Sequence, residues 1–106
     1  MDVTELTSAK DFEATIEADV ALVDFNAPWC APCRSQEPII KQLADRFDGK
    51  AIIAAMNIDE NRDTAVKLGV QSIPTLIVFK NGNEVQRFVG LQSEDTLAGT
   101  LEELID

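Results

Sequence analysis

Residues 20–34 constrain the fold more than any other part of the chain. The first six of them are apolar except for Asp24, and a continuous apolar run of this kind is typical of a strand covered on both faces of a parallel sheet. Ala27-Pro28 ends the run, and Cys30 and Cys33 follow directly.

The residues after the cysteines have helical spacing, with apolar side chains every four positions at Ile39, Leu43 and Phe47. The first amides of a helix are unpaired and carry the positive end of its dipole, so a thiolate is stabilised there. Pro32 suits the first helical turn, because its missing N–H costs nothing at that position. Two cysteines separated by two residues can close a disulfide across the turn, and dithiol–disulfide exchange is therefore the predicted chemistry.

The segment Trp29-Cys30-Ala31-Pro32-Cys33 resembles the active site of the thioredoxin family. The resemblance includes Val23-Asp24-Phe25 before the motif and Ile73-Pro74-Thr75 after it, and it continues through Phe79-Lys80-Asn81-Gly82 to Val89-Gly90. It implies an α/β, thioredoxin-like fold with a central mixed five-stranded sheet flanked by four helices. It also implies a protein-disulfide reductase that works without a separate cofactor.

The order of predicted elements agrees with this fold. The pattern is βαβαβ followed by αββα, with a parallel first part and right-handed crossovers. Val3 to Leu6 is expected to form a short edge strand, and Asp59 to Gly69 a helix that ends at the glycine. Asn81-Gly82 between two strand-like runs predicts a tight hairpin. Ser93 is expected to begin the last helix.

Composition narrows the class of protein. A chain of 106 residues fits one domain, 1–106. The net charge of -10 opposes nucleic-acid and anionic-membrane partners. With no apolar leader or spanning run, the expectation is a cytoplasmic monomer. The chain has no histidine and only two cysteines, whereas a structural zinc needs four ligands, so no metal site is expected.

The two cysteines are assigned different roles. Cys30 precedes the helix, so its sulfur is expected to be more exposed than that of Cys33 and nearer the free amides. It is the predicted nucleophile, and Cys33 is predicted to resolve the mixed disulfide that forms with a substrate. The alternative is a structural disulfide or a pair of buried thiols.

Asp24 is the third predicted catalytic residue. A carboxylate in an apolar strand is costly to bury in its charged form, so its pKa should be raised. It lies six residues before Cys30, an even spacing that keeps residues of an unbroken strand on one face. The resemblance implies that it faces the disulfide and handles the proton of Cys33. The alternative is a carboxylate that caps the following loop.

Four residues are predicted to bind substrate around Cys30: Trp29, Ile73, Pro74 and Gly90. Pro74 resembles the family's cis-proline, and a proline there leaves the backbone of Ile73 open to pair with a substrate peptide as an added strand. Gly90 allows close approach of that peptide. The alternatives are an ordinary proline at the start of a strand and a tryptophan that belongs to the core.

Other residues are expected to shape the site or to modify it. Pro38 should kink the helix and aim its first turn, with Pro32, at the surface. Four residues depart from the family pattern: Ala31 replaces the usual glycine, Asn26 a tryptophan, Ala55 a buried lysine near Asp24, and Ser72 a glycine. Without that lysine the pKa of Asp24 should be higher still.

The function implied by the resemblance is reduction of protein disulfides, with re-reduction by a thioredoxin reductase. The chain has no glycine-rich nucleotide motif, so its electrons must come from another protein. Two alternatives remain: a more oxidising, isomerase-like protein, and a non-enzymatic accessory subunit that binds through the same apolar face. Oxidising relatives usually carry histidine between the cysteines or an inserted domain, and this chain has neither.

Overall fold

The computed structural model describes residues 2–105. These residues form a five-stranded mixed sheet and four helices, as predicted. The strands run in the order β1-β3-β2-β4-β5 across the sheet. Their bounds are Thr4–Leu6 for β1, Val20–Asn26 for β2, Ile52–Asn57 for β3, Thr75–Lys80 for β4 and Asn83–Val89 for β5.

The four helices occur in the predicted order along the chain. Their bounds are Ala9–Ile16 for α1, Ala31–Arg46 for α2, Arg62–Lys67 for α3 and Glu94–Leu104 for α4. Strand β3 pairs in parallel with β1 and β2, whereas β4 pairs antiparallel with β2 and β5. Among residues 2–105, no helix is long and apolar enough to cross a membrane.

Strand β2 lies in the middle of the sheet and supplies both halves of the core. Val20 and Leu22 pack in the cluster that includes side chains of α2 and α4, whereas Val23 and Phe25 pack with Phe12 of α1. Successive side chains of a strand point to opposite faces, so Asp24 shares the face of Val20 and Leu22. That face is the one covered by α2, the helix that carries Cys33.

The hairpin and the helix caps form as the sequence predicts. Asn81 and Gly82 have φ values of 52° and 86°, as required at both central positions of a type I′ turn. Ser8 caps α1 by accepting a hydrogen bond from the Asp11 amide, and Ser93 caps α4 in the same way.

The third helix begins later than predicted. The Asp59 and Glu60 amides donate to Oδ1 of Asn57, at 2.8 and 3.3 Å, and these bonds hold the chain in a turn. Short polar side chains of this kind compete with the helical backbone for its hydrogen bonds. The helix therefore spans Arg62–Lys67, and Gly69 follows it with a φ of 70°.

Candidate active site

The site is built around the N-terminal end of α2. Cys30 is the N-cap residue of this helix and forms a disulfide with Cys33, their Cα atoms 5.2 Å apart. Its sulfur accepts a hydrogen bond from the Cys33 amide at 3.2 Å. The Cys30 sulfur therefore lies at the free amides of the helix, as expected for the residue predicted to be the nucleophile.

As whole residues the two cysteines are equally exposed, each at 5%, and the greater exposure expected of the Cys30 sulfur stays a prediction. Ala27, Ile58 and Ile73 pack around the pair, and the capping contact turns the Cys30 sulfur toward the helix. What separates the cysteines is their surroundings. Cys30 faces the loop before β4, whereas Cys33 borders a cavity beneath α2.

Asp24 lies beside that cavity. Asp24 is 3% exposed, and its Oδ1 has no hydrogen-bond partner among residues 2–105. This oxygen makes no hydrogen bond to the loop after β2. The cavity has a volume of about 490 Å³, and Asp24, Cys33 and Ala55 all line it. Asp24 and Cys33 therefore border the same cavity, which is large enough to hold water.

Burial raises the pKa of Asp24 to about 7, which confirms the predicted direction. The nearby Asn26 amide partly opposes this effect, and the carboxylates of Glu5 and Glu37 add to it. Ala55 is the register partner of Asp24 in β3 and contributes no charge. The family pattern has a lysine at that position. Because this chain lacks that cation, the carboxyl group of Asp24 stays protonated over a wider pH range.

The peptide bond between Ile73 and Pro74 is cis. The Cys30 sulfur lies 3.7 Å from the carbonyl oxygen of Ile73, so this backbone borders the disulfide. The Gly90 amide donates to the carbonyl oxygen of Pro74 at 2.8 Å, and the φ of 96° at Gly90 is one that favours glycine. The fold thus brings three of the predicted substrate-binding residues together around Cys30.

Trp29 is on the surface, 66% exposed, so the interpretation of this residue as part of the core is wrong. Its indole N–H donates to Oδ2 of Asp59 at 2.8 Å, which holds the ring at the edge of the site. Val89 and Leu91, on either side of Gly90, are 62% and 50% exposed. Exposed apolar side chains therefore flank Gly90, whose amide is bonded to Pro74.

The prolines and Ala31 lie in the helix as expected. Ala31 is the first residue of α2 and Pro32 the second, both exposed, and Pro38 is inside the helix. The kink expected at Pro38 stays a prediction. The Arg34 guanidinium donates to the Pro28 carbonyl oxygen at 3.0 Å and so links the first turn of α2 to the loop before it.

Comparison with known proteins identifies the family. A family model described as Thioredoxin matches residues 3–103. A thioredoxin of Staphylococcus epidermidis is 47% identical over 102 residues, which cover 96% of this chain and 97% of the relative. A Staphylococcus aureus thioredoxin is 46% identical with the same coverage. The chain belongs to the thioredoxin family.

Solved thioredoxin structures agree with this assignment. A mutant thioredoxin from Halobacterium salinarum matches with a TM-score of 0.93 and 35% identity, covering 99% of this chain and 92% of the other. The oxidised thioredoxin of Plasmodium falciparum matches with a TM-score of 0.86 and 27% identity, covering 99% and 100%. The predicted thioredoxin-like fold is therefore confirmed.

Membership of the family gives the class of reaction. Thioredoxins are protein-disulfide oxidoreductases, and this chain carries the paired cysteines that such exchange requires. The redox group of a thioredoxin is a disulfide of its own chain, and the family uses no separate cofactor. Within residues 2–105, no group of three or more histidine, cysteine, aspartate or glutamate side chains is placed to hold a metal ion.

Sequence reasoning missed several residues of the site. Asp59 was not expected to hold Trp29, and exposed apolar side chains were not expected at Val89 and Leu91, on either side of Gly90. Gln36, a buried polar residue of α2, was also missed. Helical spacing places Gln36 one turn after Cys33 on the same face, which was the available signal.

Proposed function

We propose that this chain reduces disulfides in other proteins, with Cys30 as nucleophile, Cys33 as resolving thiol and Asp24 as proton acceptor. The observation that carries the proposal is the position of the Cys30 sulfur. It accepts a hydrogen bond from the Cys33 amide at a helix N-terminus whose first turn holds no acidic residue. The positive end of the helix dipole is thus left for a thiolate to occupy.

In the first step, the Cys30 thiolate of the reduced protein attacks one sulfur of a substrate disulfide. The substrate S–S bond breaks, a mixed disulfide forms, and the second substrate sulfur leaves as a thiolate. Substrate binds against Trp29, Ile73, Pro74 and Gly90. The Ile73 carbonyl oxygen, 3.7 Å from the Cys30 sulfur, supports pairing of a peptide backbone at this edge.

In the second step, the Cys33 thiolate attacks the Cys30 sulfur. The mixed disulfide breaks and the remaining substrate thiolate is released. The substrate has then gained two electrons, and Cys30 and Cys33 have lost two and are joined as a disulfide. Asp24 accepts the Cys33 proton through the shared cavity. A pKa of about 7 suits a group that must take up and release a proton near neutral pH.

The disulfide must then be reduced for another cycle. We assign this step to a thioredoxin reductase, so the chain acts as an electron carrier between two proteins. The single domain, 1–106, functions as a monomer in the cytoplasm, with no nucleic-acid or membrane partner. The net charge of -10 supports the exclusion of nucleic acids, because phosphates repel such a surface.

The substitution Cys33→Ser tests the assignment of roles. Without a resolving thiol, the variant should form a stable mixed disulfide with a protein substrate, detected as a covalent complex that dithiothreitol releases. Cys30→Ser is the matched control and should form none. Normal turnover by Cys33→Ser, or a complex formed through Cys33 in the control, would refute the assignment.

A measurement of the reduction potential tests the direction of electron flow. The Cys30–Cys33 pair should equilibrate at a potential below that of the glutathione pool. A potential well above that pool would contradict the reductase function and favour the oxidising, isomerase-like alternative.

A further inference from the structure

Gln36 is a fully buried polar residue that the exchange reaction does not use. It is 0% exposed and lies on α2, three positions after Cys33. Its Nε2 donates to the carbonyl oxygen of Gln92 at 3.0 Å, and its Oε1 accepts from the Gln92 amide at 2.8 Å. One side-chain amide therefore satisfies both backbone groups of a single residue, and we call these two bonds the Gln36 clamp.

The clamped residue belongs to a short connection beside the disulfide. Strand β5 ends at Val89 and helix α4 begins at Glu94, so residues 90–93 lie outside both elements. At its start, the connection is held by the bond from the Gly90 amide to the Pro74 carbonyl oxygen. At Gln92 it is held by the Gln36 clamp. Leu91, between these two attachments, is half exposed next to the site.

We propose that Gln36 is a positioning residue for substrate binding. By holding Gln92, the clamp ties residues 90–92 to the helix that carries Cys33, so Gly90 and Leu91 keep a fixed place relative to the disulfide. Binding then orders less of the loop, and affinity for an extended protein substrate is higher. The inference rests on the proposed function, since it assumes that protein disulfides dock against this connection.

The chemistry of the clamp explains why a buried amide serves here. The Gln92 amide and carbonyl lie beyond the end of the β5 ladder and need partners when they are shielded from water. Glutamine supplies one donor and one acceptor on a single planar group, which matches them. An apolar side chain at this position leaves both backbone groups unpaired, and the connection then moves toward water to satisfy them.

The substitution Gln36→Met tests the proposal, because methionine has a similar length and can make neither bond. We expect KM for reduction of insulin to rise about tenfold, with kcat changed less than about twofold. This pattern is expected when a variant loses an interaction that stabilises the bound substrate and the transition state equally. Reduction of 5,5′-dithiobis(2-nitrobenzoate), a small disulfide that does not span the connection, should keep the wild-type rate. Equal losses with both substrates would overturn the proposal.

Two control variants separate the clamp from other effects. Gln92→Ala keeps the backbone groups that the clamp uses and removes only the bond from its Nε2 to the Gly90 carbonyl oxygen at 3.4 Å, so its KM should rise less than that of Gln36→Met. Gln42→Met makes the same chemical change at an exposed position of α2 and should have no effect. If Gln92→Ala raised KM as much as Gln36→Met, the side chain of residue 92 would be the cause and the clamp would be rejected.

A measurement on the unmodified protein keeps the proposal testable if Gln36→Met does not fold. The Gln92 amide should exchange its hydrogen with solvent at least about a hundredfold more slowly than an unprotected loop amide. Exchange at the unprotected rate would show that the clamp does not persist, and would overturn the proposal. If the unmodified protein failed to reduce insulin at all, the proposed function itself would fail, which is a distinct result.

Discussion

The N-terminal ends of α2 and α4 have the same capping geometry and different chemistry. At α4, the Ser93 hydroxyl oxygen accepts a hydrogen bond from the Thr96 amide at 3.2 Å. At α2, the Cys30 sulfur accepts one from the Cys33 amide at the same distance. Both cap residues have extended backbone conformations. A cysteine thus takes the place that serine, a preferred N-cap residue, occupies in the other helix.

The first turns of the two helices differ in charge. Glu94 and Asp95 begin α4, and their carboxylates compensate the positive end of its dipole. The first turn of α2 has Ala31 and Pro32 and no acidic residue. The carboxyl group that shares a cavity with Cys33 lies behind the helix instead, at Asp24 in β2, where burial raises its pKa. A helix N-cap becomes a reactive site when no carboxylate compensates the positive end of the helix dipole and the capping atom is a sulfur.

The strongest way to break this comparison is to give both helices the same cap. Cys30→Ser should reduce disulfide-reductase activity below detection, because no nucleophilic thiolate remains. Under reducing conditions its Tm should stay within about 4 °C of the wild type, since serine is a preferred N-cap residue. Insulin turnover and thermal unfolding measure the two effects. A large loss of stability would mean that the sulfur itself holds the turn together.

The second prediction concerns the carboxylate behind α2. The folded-state pKa of Asp24 is about 7, against about 3.9 in an unfolded chain. Between these values the folded protein binds more protons than the unfolded one, so the wild type loses stability as pH rises through that window. Asp24→Asn removes this loss and should be more stable at pH 8, by an amount on the order of 4 kcal/mol, with little difference below about pH 4.

Denaturation of the oxidised proteins between pH 4 and pH 8 measures this effect without interference from thiols. In the reduced protein, Asp24→Asn should slow the release of substrate from the mixed disulfide by about tenfold or more, because Cys33 loses its proton acceptor. Asp48→Asn, at an exposed carboxylate, is the control and should change neither property. If Asp24→Asn exchanged disulfides at the same rate as the wild type, Asp24 would be excluded from the mechanism.

The smallest effect should come from making the first turn of α2 resemble that of α4. Ala31→Glu places a carboxylate at the helix position that Glu94 occupies in α4. It should disfavour the Cys30 thiolate and slow alkylation by iodoacetamide at neutral pH roughly two- to fivefold. Ser35→Glu, beyond the first turn, is the control and should have a weaker effect. Equal effects in both variants would assign the change to net charge and not to the dipole.

Local patterns in the sequence were enough to predict much of the fold. The apolar run from Val20 to Phe25, the helical spacing after Cys33 and the Asn81-Gly82 turn each depend on neighbours in the chain. Such short-range preferences survive in the folded protein when the tertiary contacts agree with them. The start of α3 was mispredicted for a related reason, because Asn57 captures amides that the helix would otherwise use.

The chemistry of the site was predictable to a similar extent. Two cysteines before a helix indicated exchange, and a carboxylate in an apolar strand indicated a raised pKa, since both arguments require only the residue type and its element. The equal burial of Cys30 and Cys33 was not predictable, because Ile58 and Ile73 cover them from distant parts of the chain.

The sequence by itself determined the order of elements, the place of the two cysteines at the start of a helix and the class of reaction. Each of these was read from residues that are near one another in the chain. Tertiary structure decided which groups surround the two cysteines. Trp29 meets Asp59 across 30 positions and Gln36 meets Gln92 across 56. Such contacts leave no periodic signal in the chain, because they depend on how the sheet and its helices pack together.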